Sequence, residues 1–313
     1  MTLLSALTAK VRTAAHQTPH PRCACGAATL ADRPDATVVR HAGTVAKAHA
    51  PATDEAHLTT LLATAAHLPE IFVPPLRQDP VPLDKRLVTF WPYGTPVDPE
   101  APDAAPWEAA ATLLAHLHRT PAPSGTHLPM RGPAKSARAI ARLHQAPKAD
   151  AHPATPAILD AWHALPPWTR AETPMPDTTT LCHGDFHLGQ LVRHPAPDGP
   201  WRLIDVDDLG VGVPAWDLAR PAAWYACGLL TPDEWTRFLT AYRTARGPAV
   251  PPDGDPWPVL DVPARALTVQ TAATALAKAL TADRPLDEVE QSVVDAVARM
   301  GDIPTELGAS SAK

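Results

Sequence analysis

The chain has 313 residues and a formal net charge of -6, with 27 Lys and Arg against 33 Asp and Glu. This length allows two domains with cores of ordinary size, and the mild acidity argues against nucleic acid as a partner. No window of about twenty apolar residues predicts a membrane span, and the N-terminus lacks the layout of a signal peptide, so we expect a cytoplasmic protein.

The four cysteines, Cys23, Cys25, Cys182 and Cys227, are few and irregularly spaced. This argues against a disulfide framework. Cys23 and Cys25 stand too close together for an ordinary disulfide, and the chain has no second closely spaced cysteine pair to complete a zinc site. We therefore expect reduced, unpaired thiols.

Two alternating apolar runs near the N-terminus predict a β-hairpin. They cover residues 36–40 and 44–49, and the turn between them contains Gly43. Lys47 therefore lies on the second strand of the hairpin. The segment before the hairpin, residues 23–29, offers a single glycine and no full phosphate-binding glycine pattern.

A helix is predicted to follow this hairpin. Asp54 and Glu55 open it, and its leucines recur at helical spacing until Pro69 ends it. A β-rich run over residues 87–91 then stops at Pro92.

The chain becomes helical beyond Pro106. Residues 107–118 place their apolar side chains on one face. Helical spacing, with Pro or Gly near the ends, also covers 134–146, 155–164, 232–246, 262–282 and 286–300.

Residues 181–208 contain two acids in different settings. Asp185 follows a His-Gly pair in an expected tight loop, whereas Asp205 ends a short apolar strand. Gln190 lies between them, where an amide oxygen could help to hold a metal. Phosphoryl transfer needs this division, because one carboxylate orients the attacking hydroxyl and another binds the magnesium on the nucleotide phosphates.

This segment resembles the signature of the aminoglycoside phosphotransferase and choline kinase family, the small-molecule relatives of the protein kinases. The family pattern is H-G-D-x-x-x-x-N followed by I-D. The chain matches it at His183, Gly184, Asp185, Ile204 and Asp205, and Asp217 matches a further family acid.

Gln190 stands where the family has Asn. The chain contains no Asn at all, which makes the longer amide a plausible substitute. The sequence H-L-G-Q over residues 187–190 also resembles the maltokinase and glucosamine-kinase branch.

The resemblance assigns roles within the signature. It implies that Asp185 accepts a hydrogen bond from the acceptor hydroxyl and takes its proton, and that Asp205 and Gln190 bind Mg²⁺. Asp207 lies on the same side as Asp205 if the strand continues, and is a candidate third ligand. His187 is a candidate donor to the γ-phosphate, or alternatively a structural histidine.

The resemblance also implies a nucleotide site for ATP or GTP. Lys47 would contact the α- and β-phosphates and form an ion pair with Glu55. Phe90 or Trp91 would offer backbone groups to the adenine at the hinge between lobes, because Pro92 has no N–H. The alternatives are an exposed strand lysine, a glutamate that stabilises a helix start, and buried strand aromatics.

The implied fold is α+β and protein-kinase-like, with two lobes. We expect a small β-rich N-terminal lobe over residues 1–94 and a larger, mainly helical C-terminal lobe over residues 95–313. Within the larger lobe, we expect His183 and Asp217 to support the catalytic loop through hydrogen bonds.

The expected activity is the transfer of a γ-phosphate to a hydroxyl of a small polar molecule. An aminoglycoside-like antibiotic or an amino sugar is favoured, which would suggest antibiotic resistance, and a sugar of the maltokinase type is the alternative. Acids in the later segments suit a cationic acceptor: Asp208, Asp233, Glu234 and Asp261. We expect a monomer or a homodimer.

Two rival functions remain open on the sequence. His183, Asp185 and His187 would share one face of an extended strand and could hold zinc for a hydrolase. A degenerate kinase that binds a nucleotide without transferring phosphate is the other, suggested by Gln190 and the poor glycine pattern.

Overall fold

A computed structural model of the chain describes residues 2–16, 23–122, 128–177 and 179–300. The helices are α1 (Leu3–Ala15), α2 (Glu55–His67), α3 (Trp107–Arg119), α4 (Gly132–Gln145), α5 (Thr155–Ala164), α6 (Ala215–Ala226), α7 (Pro232–Thr244), α8 (Trp257–Thr281) and α9 (Glu288–Met300). The strands are β1 (Ala27–Asp32), β2 (Thr37–His41), β3 (Thr44–Ala48), β4 (Val81–Leu83), β5 (Arg86–Pro92), β6 (Thr95–Pro96), β7 (Leu181–Cys182), β8 (Leu191–Arg193), β9 (Trp201–Leu203) and β10 (Gly210–Val211). Within the described residues, no helix combines the length and apolar character that a membrane span requires.

The chain divides into two compact units. The first contains the described residues of Met1–Ala105 together with Leu188–Asp207, and the second contains those of Pro106–Ala122, His127–His187 and Asp208–Lys313. The sequence-based division into 1–94 and 95–313 differs from this one at two places. The segment Leu188–Asp207 joins the first unit because β8 pairs with β6 and β9 there, and because Val73 donates a backbone hydrogen bond to Leu203.

The first unit is built on a five-stranded antiparallel sheet in the order β1-β2-β3-β5-β4. In β2 and β3, buried and half-buried residues alternate, as expected for strands that cover a core on one face. That core joins Leu7 and Val11 of α1 to Val39, Ala46 and Phe90 of the sheet. Helix α1 therefore closes the buried face.

The predicted hairpin and the helix after it are confirmed, since Lys47 lies on β3 opposite Val38 and α2 begins at Glu55. The sequence analysis missed β1, which pairs with β2 across the turn between Arg33 and Ala36. Gly26 precedes this strand.

The second unit is mainly helical. Helix α8 has buried residues on every side, because it lies between α4, α6 and α9. A two-stranded pair, β7 with β10, aligns Cys182 opposite Gly210. This pairing holds in place the start of the segment that carries Asp185.

Candidate active site

The loop that carries Asp185 is fixed by one buried carboxylate. Strand β7 ends at Cys182, and the next two backbone N–H groups, of His183 and Gly184, donate to the two oxygens of Asp217 at 2.6 and 2.8 Å. The imidazole of His118 lies 3.0 Å from the same side chain, which is fully buried. The sequence-based prediction that Asp217 supports this loop is confirmed.

Glycine is the only residue type that fits at position 184 of this loop. Its φ is +84°, and a Cβ atom there would collide with the backbone carbonyl of Asp208. Both conditions exclude an ordinary side chain. The chain can therefore turn sharply just before Asp185.

Asp185 is held by two cations. The Lys135 ammonium donates to one carboxylate oxygen, and Arg220 Nη2 donates to the other at 3.1 Å. Burial alone would raise the pKa of Asp185, but Lys135 and Arg220 outweigh it and hold the pKa below its ordinary value. Asp185 is therefore ionised at neutral pH.

Lys135 also bridges to a second acid. Its ammonium lies 3.1 Å from an Asp208 oxygen. Burial lowers the pKa of Lys135, whereas Asp208 and Asp185 together raise it above its ordinary value, so Lys135 stays charged. The sequence analysis did not identify Lys135 or Arg220, because neither lies in the segment 181–208 or matches a residue of the family pattern.

His187 lies in the same cluster as Asp185 and Arg220. Burial and the positive charge of Arg220 lower the pKa of His187 to about 4, against the opposing effect of Asp185. The imidazole is therefore neutral at physiological pH, and one of its nitrogens still carries a hydrogen that can be donated. Its predicted contact with a phosphate remains a prediction.

In the first unit, Lys47 forms ion pairs with two other acids of the segment 181–208. Its ammonium lies 2.6 Å from Asp205 Oδ1 and 2.8 Å from Asp207 Oδ2. Burial alone would lower the pKa of Lys47, but the two carboxylates outweigh it and raise that pKa above its ordinary value. Lys47 and His49 in turn hold the pKa of Asp207 well below its usual range, although burial opposes them.

Gln190 reaches the same group. The side chain is buried, with 7% exposed, and its amide nitrogen lies 3.5 Å from Asp205 Oδ2. Rotating the amide by half a turn would exchange its nitrogen and oxygen, an ambiguity common to all such amides. Asp205 has a φ of 63°, a conformation that Asp tolerates better than most residues.

These side chains fit magnesium. Asp205 and Asp207 each place an oxygen close to the Lys47 ammonium, so the two carboxylates lie near each other. Carboxylate and amide oxygens are also the hard ligands that Mg²⁺ prefers. The structure brings Gln190, Asp205 and Asp207 into one group, and their role as magnesium ligands remains a prediction.

The predicted ion pair between Lys47 and Glu55 is not formed. Among the described residues, the ion pairs of Lys47 are with Asp205 and Asp207. Glu55 is exposed and is the first residue of α2, directly after the N-cap Asp54. A carboxylate at this position stabilises the helix dipole, and no structural observation tests a further role in nucleotide binding.

Phe90 and Trp91 lie on β5, as predicted. Phe90 is a core residue of the first unit, and its carbonyl accepts a hydrogen bond of 2.8 Å from the Leu76 N–H. That oxygen is therefore already satisfied. Trp91 is half-buried and its indole donates to Thr89, and adenine contact through Phe90 or Trp91 remains a prediction.

The structure speaks against the zinc-hydrolase alternative. Strand β7 ends at Cys182, so His183, Asp185 and His187 do not share the face of one strand. In the described part of the chain, two groups of side chains bring potential metal-ligating atoms together, and neither contains these three residues as a set.

Comparison with known proteins agrees with the signature. Residues 28–257 match the model of the phosphotransferase enzyme family. No curated protein matches the chain's sequence.

Solved structures resemble the whole chain at low sequence identity. A choline/ethanolamine kinase family protein from Mesorhizobium loti has a TM-score of 0.55 and 15% identity, covering 98% of this chain and 97% of its own. An aminoglycoside phosphotransferase bound to AMP-PNP and hygromycin B has a TM-score of 0.56 and 15% identity, covering 91% and 95%. A spectinomycin phosphotransferase bound to ADP and spectinomycin has a TM-score of 0.53 and 13% identity, covering 91% and 92%.

The predicted fold is confirmed as α+β and protein-kinase-like, with a small β-rich N-terminal lobe and a larger, mainly helical C-terminal lobe. A fold of this kind with a phosphoryl-transfer signature defines a small-molecule kinase. The chain belongs to the phosphotransferase enzyme family.

Proposed function

We propose that the protein transfers the γ-phosphate of ATP to a hydroxyl of an aminoglycoside-like antibiotic or an amino sugar. The observation that carries this proposal is the state of Asp185, a carboxylate kept ionised by Lys135 and Arg220 on a loop fixed by Asp217. A positioned, ionised carboxylate is what the acceptor hydroxyl needs as its partner.

Asp185 acts as an orienting group and a late proton acceptor. It receives the hydrogen bond of the acceptor hydroxyl, which directs the oxygen lone pair towards the phosphorus. Because its pKa is low, Asp185 is a weak base, and such a base suffices when the proton leaves only after most of the bond to the leaving oxygen has broken. Lys135 and Arg220 keep it in the ionised form.

Asp205, Asp207 and Gln190 are the residues that would hold magnesium. When bound, Mg²⁺ neutralises charge on the β- and γ-phosphates. Lys47 is the cation of the same group and would contact the α- and β-phosphates, because its raised pKa keeps it charged after burial. The first unit thus supplies the groups that act on the nucleotide.

The choice of acceptor rests on two observations. The chain has a net charge of -6, which attracts cations at long range, and two similar structures contain the antibiotics hygromycin B and spectinomycin. Acids near the later helices support it less, because Glu234 is used in the capping box of α7 and Asp261 pairs with Arg265.

A second candidate acceptor is a neutral sugar. The sequence H-L-G-Q over residues 187–190 resembles the maltokinase branch, and its glutamine is the residue placed against Asp205. The two candidates share all the chemistry of Asp185 and differ only in the acceptor.

The test is an assay of ADP release with ATP, Mg²⁺ and a panel of aminoglycosides, amino sugars, neutral sugars and amino alcohols. We expect Mg²⁺-dependent release with an aminoglycoside or an amino sugar. Release with neutral sugars alone would assign the second candidate. Nucleotide binding without release for any acceptor would contradict transfer and favour the degenerate kinase.

Two variants separate the roles of the carboxylates. Asp185→Asn should keep the fold and the affinity for nucleotide and lose roughly two to four decades of turnover, whereas Asp205→Ala should lose Mg²⁺-dependent nucleotide binding as well as activity. Asp295→Asn, an exposed change in α9, is the control. Unchanged turnover in Asp185→Asn would remove Asp185 from the chemistry.

A further inference from the structure

Four side chains near the N-terminus form a compact group that we call the Cys–His cluster: His16, Cys23, Cys25 and His41. One potential ligand atom from each of them lies within 4.8 Å of all the others. They come from three places, since His16 directly follows α1, the two cysteines precede β1, and His41 ends β2. All four belong to the first unit.

Two distances in the cluster match the edges of a tetrahedral site. His16 Nε2 lies 3.1 Å from His41 Nε2, and Cys23 Sγ lies 3.4 Å from the same His41 nitrogen. A tetrahedral zinc site, with Zn–S of about 2.3 Å and Zn–N of about 2.0 Å, has edges of roughly 3.3 Å between nitrogens and roughly 3.5 Å between sulfur and nitrogen.

The surroundings of the cluster favour metal binding. His41 is a buried polar side chain, 3% exposed, and its Nε2 points at both His16 and Cys23. The Cys25 N–H donates to Cys23 Sγ at 3.2 Å, a contact that stabilises negative charge on a ligating sulfur.

Both sulfurs are available as metal ligands. The cysteines are not joined by a disulfide.

We propose that the Cys–His cluster binds one Zn²⁺ as a structural site. Two thiolates and two imidazoles form a closed ligand set whose two negative charges balance those of Zn²⁺, which is typical of structural zinc and leaves no position for a substrate. Such a site ties the end of α1 to the end of β2 and to the entry of β1. It is independent of the proposed phosphate transfer.

The structural consequence concerns α1. This helix places Leu7 and Val11 against the sheet, and β1 is the outermost strand on one edge of that sheet. Zinc would cross-link both of these peripheral elements to β2. Removing the metal should therefore loosen them without touching Asp185 or Asp205.

The first experiment uses the full wild-type chain. Metal analysis after purification should give about one zinc per chain, as a four-ligand site requires. Replacement by Co²⁺ under reducing conditions should give the intense visible absorption of tetrahedral cobalt with a sulfur-to-cobalt charge-transfer band. Zinc well below one per chain together with only the weak absorption of octahedral cobalt would overturn the proposal.

The second experiment assigns the ligands. Cys25→Ser and His41→Gln should each lose the cobalt spectrum and most of the bound zinc, whereas the control Cys227→Ser, a free half-buried thiol outside the cluster, should keep both. A chelator should lower the Tm of the wild type and of Cys227→Ser, and leave that of Cys25→Ser unchanged. Retention of zinc in Cys25→Ser and His41→Gln would refute these ligands, and if either variant does not fold, the cobalt spectrum of the wild type decides.

Discussion

Asp185 owes its ionised state to a balance between burial and two cations. Removing one cation should shift this balance visibly, because the carboxylate is only slightly exposed, with 14% of its side chain accessible. Arg220 would remain as a single partner. Lys135 is therefore a positioning residue whose effect can be measured as a pKa.

We expect Lys135→Gln to raise the pKa of Asp185 and so to move the acid limb of the kcat/KM profile to higher pH, by on the order of one unit. The sign follows because Lys135 lowers that pKa in the wild type, so its loss leaves burial less opposed. The measurement is the pH profile of kcat/KM. Lys148→Gln, at an exposed pair with Asp283, should not move the limb.

A different pH profile for Lys135→Gln would contradict this role of Lys135. A uniform fall of kcat/KM at every pH, with the acid limb in place, would show that Lys135 acts on the phosphate or the acceptor rather than on the ionisation of Asp185.

Gln190 offers a second test at the scale of one residue. If its amide oxygen binds Mg²⁺, Gln190→Asn should leave activity within a few fold, whereas Gln190→Leu should raise the Mg²⁺ requirement sharply. Titrating activity against Mg²⁺ measures this, with exposed Gln145→Leu as the control. Full activity and unchanged Mg²⁺ dependence in Gln190→Leu would show that Asp205 and Asp207 suffice.

Residues of the site that are close together in the sequence could be predicted, and those brought in from elsewhere could not. Asp185, Gln190 and Asp205 lie in one short segment, and the spacing between them indicates phosphoryl transfer. Lys135 is 50 residues from Asp185, and nothing in its local sequence distinguishes it from a surface lysine.

The Cys–His cluster shows the same limit. The sequence analysis looked for a second cysteine pair and dismissed zinc when it found none. His16 and His41 are 25 residues apart and have no spacing rule to link them, so only the packing of α1 on β2 brings them together.

Among the elements, α6 connects fold and chemistry. Its first turn supplies Asp217 to the catalytic loop, and one turn later it supplies Arg220 to Asp185. The sequence analysis did not predict this helix, because Pro221 lies inside it and proline normally ends a helix. Helices with regular spacing and clear ends, such as α3 and α5, were predicted almost to their bounds.

We expect Asp217→Asn to weaken both the fold and the activity. The neutral amide has one acceptor oxygen in place of two, so both buried N–H groups of His183 and Gly184 would lose a charged partner and one of them would lose its acceptor, at a cost of about 2 kcal/mol. Urea unfolding and turnover measure the two effects. Asp295→Asn should change neither, and an Asp217→Asn variant as stable as wild type would show that the loop does not depend on this carboxylate.

For the molecule as a whole, the net charge is easier to predict than the division of the chain into two units. Net charge follows from composition alone, whereas the assignment of Leu188–Asp207 to the first unit depends on β8 pairing with β6 across the sequence. A single boundary placed in the sequence cannot assign a later segment to the earlier unit. The net charge of -6 nevertheless leads to a test of the proposed cationic acceptor.

If the acceptor is cationic, its kcat/KM should fall as ionic strength rises, because salt screens the long-range attraction between a negative protein and a positive substrate. We expect a decrease of several fold between about 20 mM and 300 mM salt, since the Debye length shortens from roughly 20 Å to below 10 Å. The measurement is made at saturating ATP and Mg²⁺, so that the anionic nucleotide does not contribute. A neutral sugar in the same assay is the control and should show little dependence. A cationic acceptor whose kcat/KM does not change with salt would remove charge attraction as the reason to favour it, and would leave neutral sugars as equal candidates.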